Sequence, residues 1–221
     1  MKLPSPWSYS SLSSFIQCPR RYHIVRVLKE VKEPPTEATI WGNKVHSALE
    51  LRIKEGRPLP TEMEKFESVA KELESWSDQW VTEEKFGLTE NLGPTGFFSD
   101  DVWCRGILDV YAVHKNRAVV ADYKTGKMRP DLTQLKLFAA AILHKYPQVN
   151  RVKTAFLWLN HDRKTVEDFD RSDLEFIWKY FLPMIQRLES AYERDVWPPN
   201  PSGLCRSWCP VGRNRCEHCG I

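Results

Sequence analysis

Two carboxylates and a lysine stand close together between Val102 and Gly126: Asp109 in VWCRGILDVYAV, and Asp122 and Lys124 in AVVADYKTG. Both runs are rich in Val, Ile, Leu and Ala, so each reads as a largely buried strand. The polar connection His114-Lys115-Asn116-Arg117 contains Asn116, which tolerates the left-handed backbone of a tight hairpin. With Lys115 and Asn116 as a two-residue loop, His114 faces Arg117 and the pairing runs outward to Asp109 opposite Asp122. Directly opposed side chains in a hairpin lie about 4.5–5.5 Å apart at Cβ. Two such carboxylates inside apolar strands repel each other unless a cation sits between them. Period-2 alternation places Lys124 on the face of Asp122 and turns Tyr123 away. Hard divalent cations such as Mg²⁺ are bound in this manner, by one or two carboxylates plus phosphate oxygens. A buried ion pair or triad at a strand end is the competing reading, because structural ion-pair networks gather the same charges. The assignment depends on register, since a slip of one residue turns Asp109 to the other face.

The tail supplies a second set of ligand-type residues. Residues 204–221 read LCRSWCPVGRNRCEHCGI and hold Cys205, Cys209, Cys216 and Cys219, four of the six cysteines. So short a segment cannot bury a core of its own, and a soft metal would fix it. On spacing alone the four cysteines close a Cys₄ zinc knuckle. Cys104, beside Trp103 inside an apolar run, reads as a core residue.

The elements that must position these residues follow from pattern. Residues 8–27 read as a helix capped by Ser8, Ser10 or Ser11, with Pro19 kinking or splitting it and Arg20, Arg21 and Arg26 on its polar face. Residues 29–39, with Pro34-Pro35, read as a linker, and a second helix spans about 40–56. His46 and Glu50 are spaced i, i+4 on one face of it, so Glu50 is placed to orient His46. A third helix covers 62–79 with Phe66, Val69, Ala70, Leu73 and Trp76 inward. Residues 80–88 read as a first strand in which Glu83 or Glu84 is within reach of the acids, and 91–96 as a loop. Pro130 and Asp131 open a helix that carries Gln134 one turn in and ends at Lys145. Residues 154–159 and 165–169 read as paired strands, and Ser172 with Glu175 as the capping box of a long helix to Arg194.

The length of 221 residues suits one sizeable core, or one domain plus an appendage. The expected division is a domain over 1–203 and a cysteine-rich tail over 204–221. A net charge of +3 leaves binding of a polyanion to local patches. Residues 1–14 hold no apolar signal core, and no run reaches membrane-spanning length. The expectation is therefore a cytoplasmic protein without a membrane partner. In that reducing compartment clustered cysteines serve as metal ligands more than as disulfides.

Four motifs then carry a resemblance. GILD (Gly106–Asp109) and ADYKTG (Ala121–Gly126) resemble the GxxD and DxKTG motifs of the RecB-like exonuclease branch of the PD-(D/E)XK nuclease superfamily. WGNKVHSALE (Trp41–Glu50) resembles its G-x-x-x-H helix, and QLKLF (Gln134–Phe138) its Q-x-x-x-Y helix, with Phe in place of Tyr. The order of the motifs is the family's, and SYSSLSSFIQCPRRY at the N-terminus is similar to it too. The resemblance implies an α/β fold, restriction-endonuclease-like, with a central mixed sheet flanked by helices. It implies a Mg²⁺- or Mn²⁺-dependent deoxyribonuclease, acting as an exonuclease in recombination, repair or phage replication, with DNA and recombination or replication proteins as partners. A non-cleaving DNA-binding or scaffold module is the alternative, against which the intact Asp109, Asp122 and Lys124 speak. By carry-over, His46, Asp109, Asp122 and the carbonyl of Tyr123 hold metal, Lys124 and Gln134 complete the active site, and Arg20 or Arg21 contacts phosphate. Some members use one cysteine before the core and three after it for an iron–sulfur cluster. Cys18, with Cys205, Cys209 and Cys216, matches that arrangement and implies a 4Fe-4S cluster where spacing alone gives zinc. The tail's C-x₃-C-x₆-C departs from the family's C-x₂-C-x₅-C, and Cys219 has no counterpart.

Overall fold

The structure, a computed structural model, describes residues 3–77, 79–129 and 131–220. It divides into two compact units, residues 35–177 and residues 1–34 with 178–221.

The unit 35–177 is built on a six-stranded sheet in the order β2-β1-β3-β4-β5-β6. The strands are β1 (Val81–Leu88), β2 (Pro94–Thr95), β3 (Cys104–His114), β4 (Arg117–Lys124), β5 (Arg151–Trp158) and β6 (Arg163–Asp170). All neighbours are antiparallel except β4 and β5, so the sheet is mixed. Joining two parallel strands needs a crossover, and α5 (Thr133–Lys145) provides it. Before the sheet come α3 (Glu37–Glu55) and α4 (Glu67–Trp76). Thr36 caps α3 and Gly56 ends it in the left-handed conformation at φ 68°. Val45, Leu49, Ala70 and Leu73 from these helices share one core with Val110, Ala121, Tyr123, Ala155 and Leu157 of the sheet. Residues of β4 between these face the other way, toward α5, whose Leu135, Leu137, Phe138 and Ile142 are buried. The α/β sheet flanked by helices is the expected architecture.

Several local expectations shift. The third helix begins as a 3₁₀ turn over Thr61–Phe66, and Trp76 is exposed at its end. The loop 91–96 contributes the short edge strand β2. Thr133, whose N–H donates to Asp131 Oδ1 at 2.9 Å, starts α5, so the acid caps the helix from outside it. Pro130 lies outside the described residues. A capping box falls on Asp170 and Asp173, at a 3₁₀ turn over Arg171–Asp173 that precedes the last helix, α6 (Leu174–Arg194).

In the unit 1–34 with 178–221, Pro19 splits the first helix as expected. The pieces are α1 (Tyr9–Gln17), capped by Ser8, and α2 (Pro19–Tyr22), with a π-type turn over His23–Val27. Between them Cys18 adopts an extended conformation at φ −163°. Trp7 packs on Phe181 of α6 at 5.8 Å between centroids, and Trp197 stacks on His23 at 4.5 Å. The division between units falls within α6.

Candidate active site

The hairpin register is the one that its length requires, with His114 opposite Arg117. Lys115, not Asn116, takes the left-handed backbone at φ 54°. The ladder ends at Val110–Ala121, one pair short of Asp109 and Asp122. There the strands part, and Asp109 Oδ2 accepts the N–H of Tyr123 at 2.8 Å. On the other side of β3, the pairing with β1 skips Glu83, whose φ of 50° breaks the ladder between Thr82 and Glu84.

Two glycines are required by close approach. Phe86 lies opposite Gly106 in the β1–β3 pairing, and a Cβ on Gly106 would come 2.6 Å from its ring. A Cβ on Gly42 would meet Thr125 Oγ1 at 3.2 Å, so Gly42 lets α3 lie against the end of β4. One helical turn later His46 reaches into the gap between the strands. Its Nε2 lies 3.0 Å from the Tyr123 carbonyl and its Nδ1 3.3 Å from Asp109 Oδ2. Burial works to lower the His46 pKa, but the hydrogen bond and charge of Asp109, with Asp122 and Glu83, raise it on balance. Glu50 does not orient His46. Its partner is Lys54 at 4.0 Å, because the imidazole leaves their shared helix face for the strand ends.

Asp122, Lys124 and Gln134 form the second half of the cluster. Lys124 Nζ lies 2.5 Å from Asp122 Oδ2 and donates to Gln134 Oε1 at 2.9 Å, while Gln134 Nε2 donates to Asp122 Oδ1 at 3.1 Å. Despite its contact with Lys124, the buried Asp122 Oδ2 has no hydrogen bond of acceptable geometry. Burial first, and then the charge of Asp109, push the Asp122 carboxyl up to about 7 against the opposing pull of Lys124. Burial and Asp109 likewise raise Glu83.

These residues fit a divalent cation. Ligand-type atoms of His46, Glu83 and Asp109 lie within 4.8 Å of one another. They are hard oxygen and imidazole donors, and burial, with the charge of Asp109, holds the carboxyls of Glu83 and Asp122 above their ordinary range. The structure thus brings together His46, Asp109, Asp122, Tyr123, Lys124 and Gln134, and adds Glu83. Pattern alone does not choose between Glu83 and Glu84, since the positive φ of Glu83 suspends strand alternation there. Glu84 instead pairs with Lys145, which also donates to Tyr111 Oη at 3.2 Å.

The cysteines belong to the other unit. All six are free thiols. Cys18, Cys205 and Cys209 line one cleft of about 180 Å³ with Arg21, Asn200 and Trp208. Cys216 and Cys219 are buried with Ile24 and Val211, and Cys209 packs at their edge. Burial, then hydrogen bonding with Cys209 and the neighbouring Cys216, push the Cys219 thiol up to about 12. Among the described residues no three cysteine sulfurs lie within 4.8 Å of one another. Cys104 is a buried core residue of β3. Arg20 and Arg21 pair with Glu217 at 3.4 Å and Glu33 at 2.5 Å, so both cations are engaged by acids of the chain itself.

The sequence matches the family model of the PD-(D/E)XK nuclease superfamily over residues 6–92 and 79–217. No curated protein matches the chain. Among solved structures, a protein from Eubacterium rectale named "Putative exonuclease" is similar at 10% identity and a TM-score of 0.54, over 94% of this chain and 92% of that one. The protein SSO0001 matches at 17% identity and a TM-score of 0.45, over 84% of this chain and 78% of that one. In the described residues no helix is long and apolar enough to cross a membrane.

Proposed function

The chain belongs to the PD-(D/E)XK nuclease superfamily, and we propose that within it this protein is a metal-dependent DNA exonuclease of the RecB-like branch. Membership brings a nucleic-acid substrate. DNA as that substrate, exonucleolytic action, and a role in recombination, repair or phage replication are our reading. The observation that carries it is the cluster at the parting of β3 and β4: His46, Glu83 and Asp109 within 4.8 Å, beside the Lys124–Asp122–Gln134 set.

In this reading His46, Asp109, Asp122 and the Tyr123 carbonyl hold Mg²⁺ or Mn²⁺, with Glu83 in reach. The ion supplies Lewis-acid chemistry, lowering the pKa of a bound water and neutralising phosphate charge. Lys124 is a compact point charge held by Asp122 and Gln134, and it stabilises the charge that builds on the pentavalent phosphorus. Gln134 fixes the Lys124 ammonium and Oδ1 of Asp122, while Oδ2 of Asp122 faces the same ammonium. His46 is oriented by Asp109 and reaches the Tyr123 carbonyl, tying α3 to both strands.

We assign the nuclease to residues 1–203 and a metal-binding tail to 204–221, with Cys18, Cys205, Cys209 and Cys216 as ligands of a 4Fe-4S cluster and structural zinc as the competing occupant. What supports a site that includes Cys18 is the cleft that Cys18, Cys205 and Cys209 line together.

The test is an assay of the purified protein on end-labelled single- and double-stranded DNA with Mg²⁺, Mn²⁺ or EDTA. Metal-dependent release of short products from an end is expected, and its loss in Asp109→Asn. Wild-type protein that binds DNA without cutting it under any metal would leave a non-cleaving module instead.

A further inference from the structure

One surface beside the cluster has no part in the chemistry above. The register pairs Lys85 with Ile107 and Gly87 with Arg105. Along the paired strands these residues stand two and four positions from Glu83 and Asp109. Between them Phe86, Leu88, Cys104 and Leu108 are buried, Phe86 against Phe138 of α5 at 6.5 Å between centroids. The loop from β2 to β3 brings Phe97 and Phe98 to this strip, edge to face at 4.8 Å and 75°. Lys85 Nζ lies 5.8 Å from the Phe97 centroid and 5.6 Å from that of Phe98. The Arg105 guanidinium lies 4.8 Å from Phe97 and donates to its carbonyl at 3.4 Å. Phe98 is nevertheless 76% exposed, and Ile107 40%.

An exposed ring, Phe98, backed by Phe97 and set beside cations matches what a single-stranded nucleic acid requires. Bases stack on aromatic faces in a sequence-tolerant way, and Lys and Arg follow the phosphates. A duplex offers no base face to such rings. The place fits as well. Each two-residue step along a strand is about 6.6–6.8 Å, so Ile107 and Arg105 stand about 7 and about 13 Å from Asp109 along β3. That is about two to four steps of a stacked strand at 3.4 Å per nucleotide.

We propose that Phe97 and Phe98, with Lys85 and Arg105, form a stacking subsite that holds unpaired bases of a single nucleic-acid strand next to the cleavage centre. The inference rests on the nuclease reading and names the form of substrate that the site takes. Phe98 provides the free ring face, Phe97 supports it edge-on, and the two cations keep the rings in place while meeting phosphates.

The experiment compares wild type, Phe98→Ala, Phe98→Trp and Lys85→Ala, using fluorescence anisotropy on a labelled single-stranded oligothymidine, the same oligomer with abasic sites, and a duplex, in EDTA so that cleavage is blocked. Phe98→Ala is expected to weaken binding of the intact single strand about 5- to 150-fold, the scale of one lost base stack. It should leave duplex and abasic binding unchanged, and Phe98→Trp should restore affinity. Lys85→Ala should flatten the salt dependence of log K by about one unit. The melting temperature checks that the exposed substitutions leave the fold intact, and a Lys85→Arg variant that keeps the salt slope covers the case of a misfolded alanine variant. Unchanged single-strand affinity in Phe98→Ala, or an equal loss on abasic and intact strands, overturns the subsite. If wild type binds no nucleic acid at all, the nuclease reading itself fails, and the two failures are thus distinct.

Discussion

At the scale of single residues, Asp122 links chemistry to stability. Its folded-state pKa of about 7 stands above the ordinary 3.8, chiefly through burial. An acid with a raised folded pKa keeps its proton in the native state while the unfolded chain has already ionised. The contribution to stability is therefore greatest below about pH 4 and is lost as pH rises to about 7. In EDTA at pH 8, Asp122→Asn should raise the stability of the protein by roughly 1–3 kcal/mol, since burial of the charge is relieved. The same variant should lose cleavage while binding DNA as well as wild type or better, because one repelling charge is gone. Thermal melts with and without Mg²⁺, run beside the nuclease assay, check both halves. Lys124 acts on the transition state in our reading. Lys124→Ala should lower kcat by about 10²–10³, the scale of one electrostatic stabiliser, with little change in Kd for DNA. A large loss of affinity at constant kcat would make Lys124 a phosphate anchor only.

At the scale of elements, the site depends on how closely backbones approach. Gly106 lies under the Phe86 ring, where an added Cβ would come within 2.6 Å. Gly106→Ala should destabilise the protein by about 1–3 kcal/mol, the usual cost of forced overpacking. Phe86→Leu in the same chain should recover part of that loss, a coupling that a double-mutant cycle in urea measures. Additive effects would show that the ring is not what excludes the methyl group. The glycine of GILD thus has a packing reason, and the one of GNKVH has its own in Thr125. Tight turns also went to unexpected residues. Lys115 carries the positive φ of the hairpin, because the loop conformation is imposed by the twist of the strands that it joins.

At the scale of the whole molecule, one compact unit is made from both ends of the chain, residues 1–34 and 178–221. Within it Asn200 N–H donates to Cys18 Sγ at 3.5 Å and Cys205 lines the same cleft. A metal site that includes Cys18 closes a loop of nearly the whole chain, the kind of closure with most unfolded-state entropy to remove. Cys18→Ser and Cys209→Ser should then destabilise the protein to a similar degree, and both should bleach any brown colour. With a zinc knuckle, Cys18→Ser should be nearly silent and Cys219→Ser should release metal. Iron and zinc analysis of the three variants, purified without oxygen, separates the readings. Wild-type protein containing neither element would remove both.

Sequence alone determined the hairpin, its register and the presence of Asp122 and Lys124 on one patch. Period-2 alternation and a two-residue loop are local and leave little choice once both strands are apolar. It also placed His46 and Gln134 on helices, through motifs with fixed spacing. Tertiary structure alone decided that Glu83 joins His46 and Asp109, since the choice over Glu84 turns on a backbone distortion that no alternation pattern carries. It decided that Arg20 pairs with Glu217 and Arg21 with Glu33, because ion pairs form with whichever charge the fold brings near. It decided, too, that Phe97 and Phe98 stand beside Lys85 and Arg105. Those residues lie on two strands and a loop, and only the β1–β3 pairing makes them neighbours.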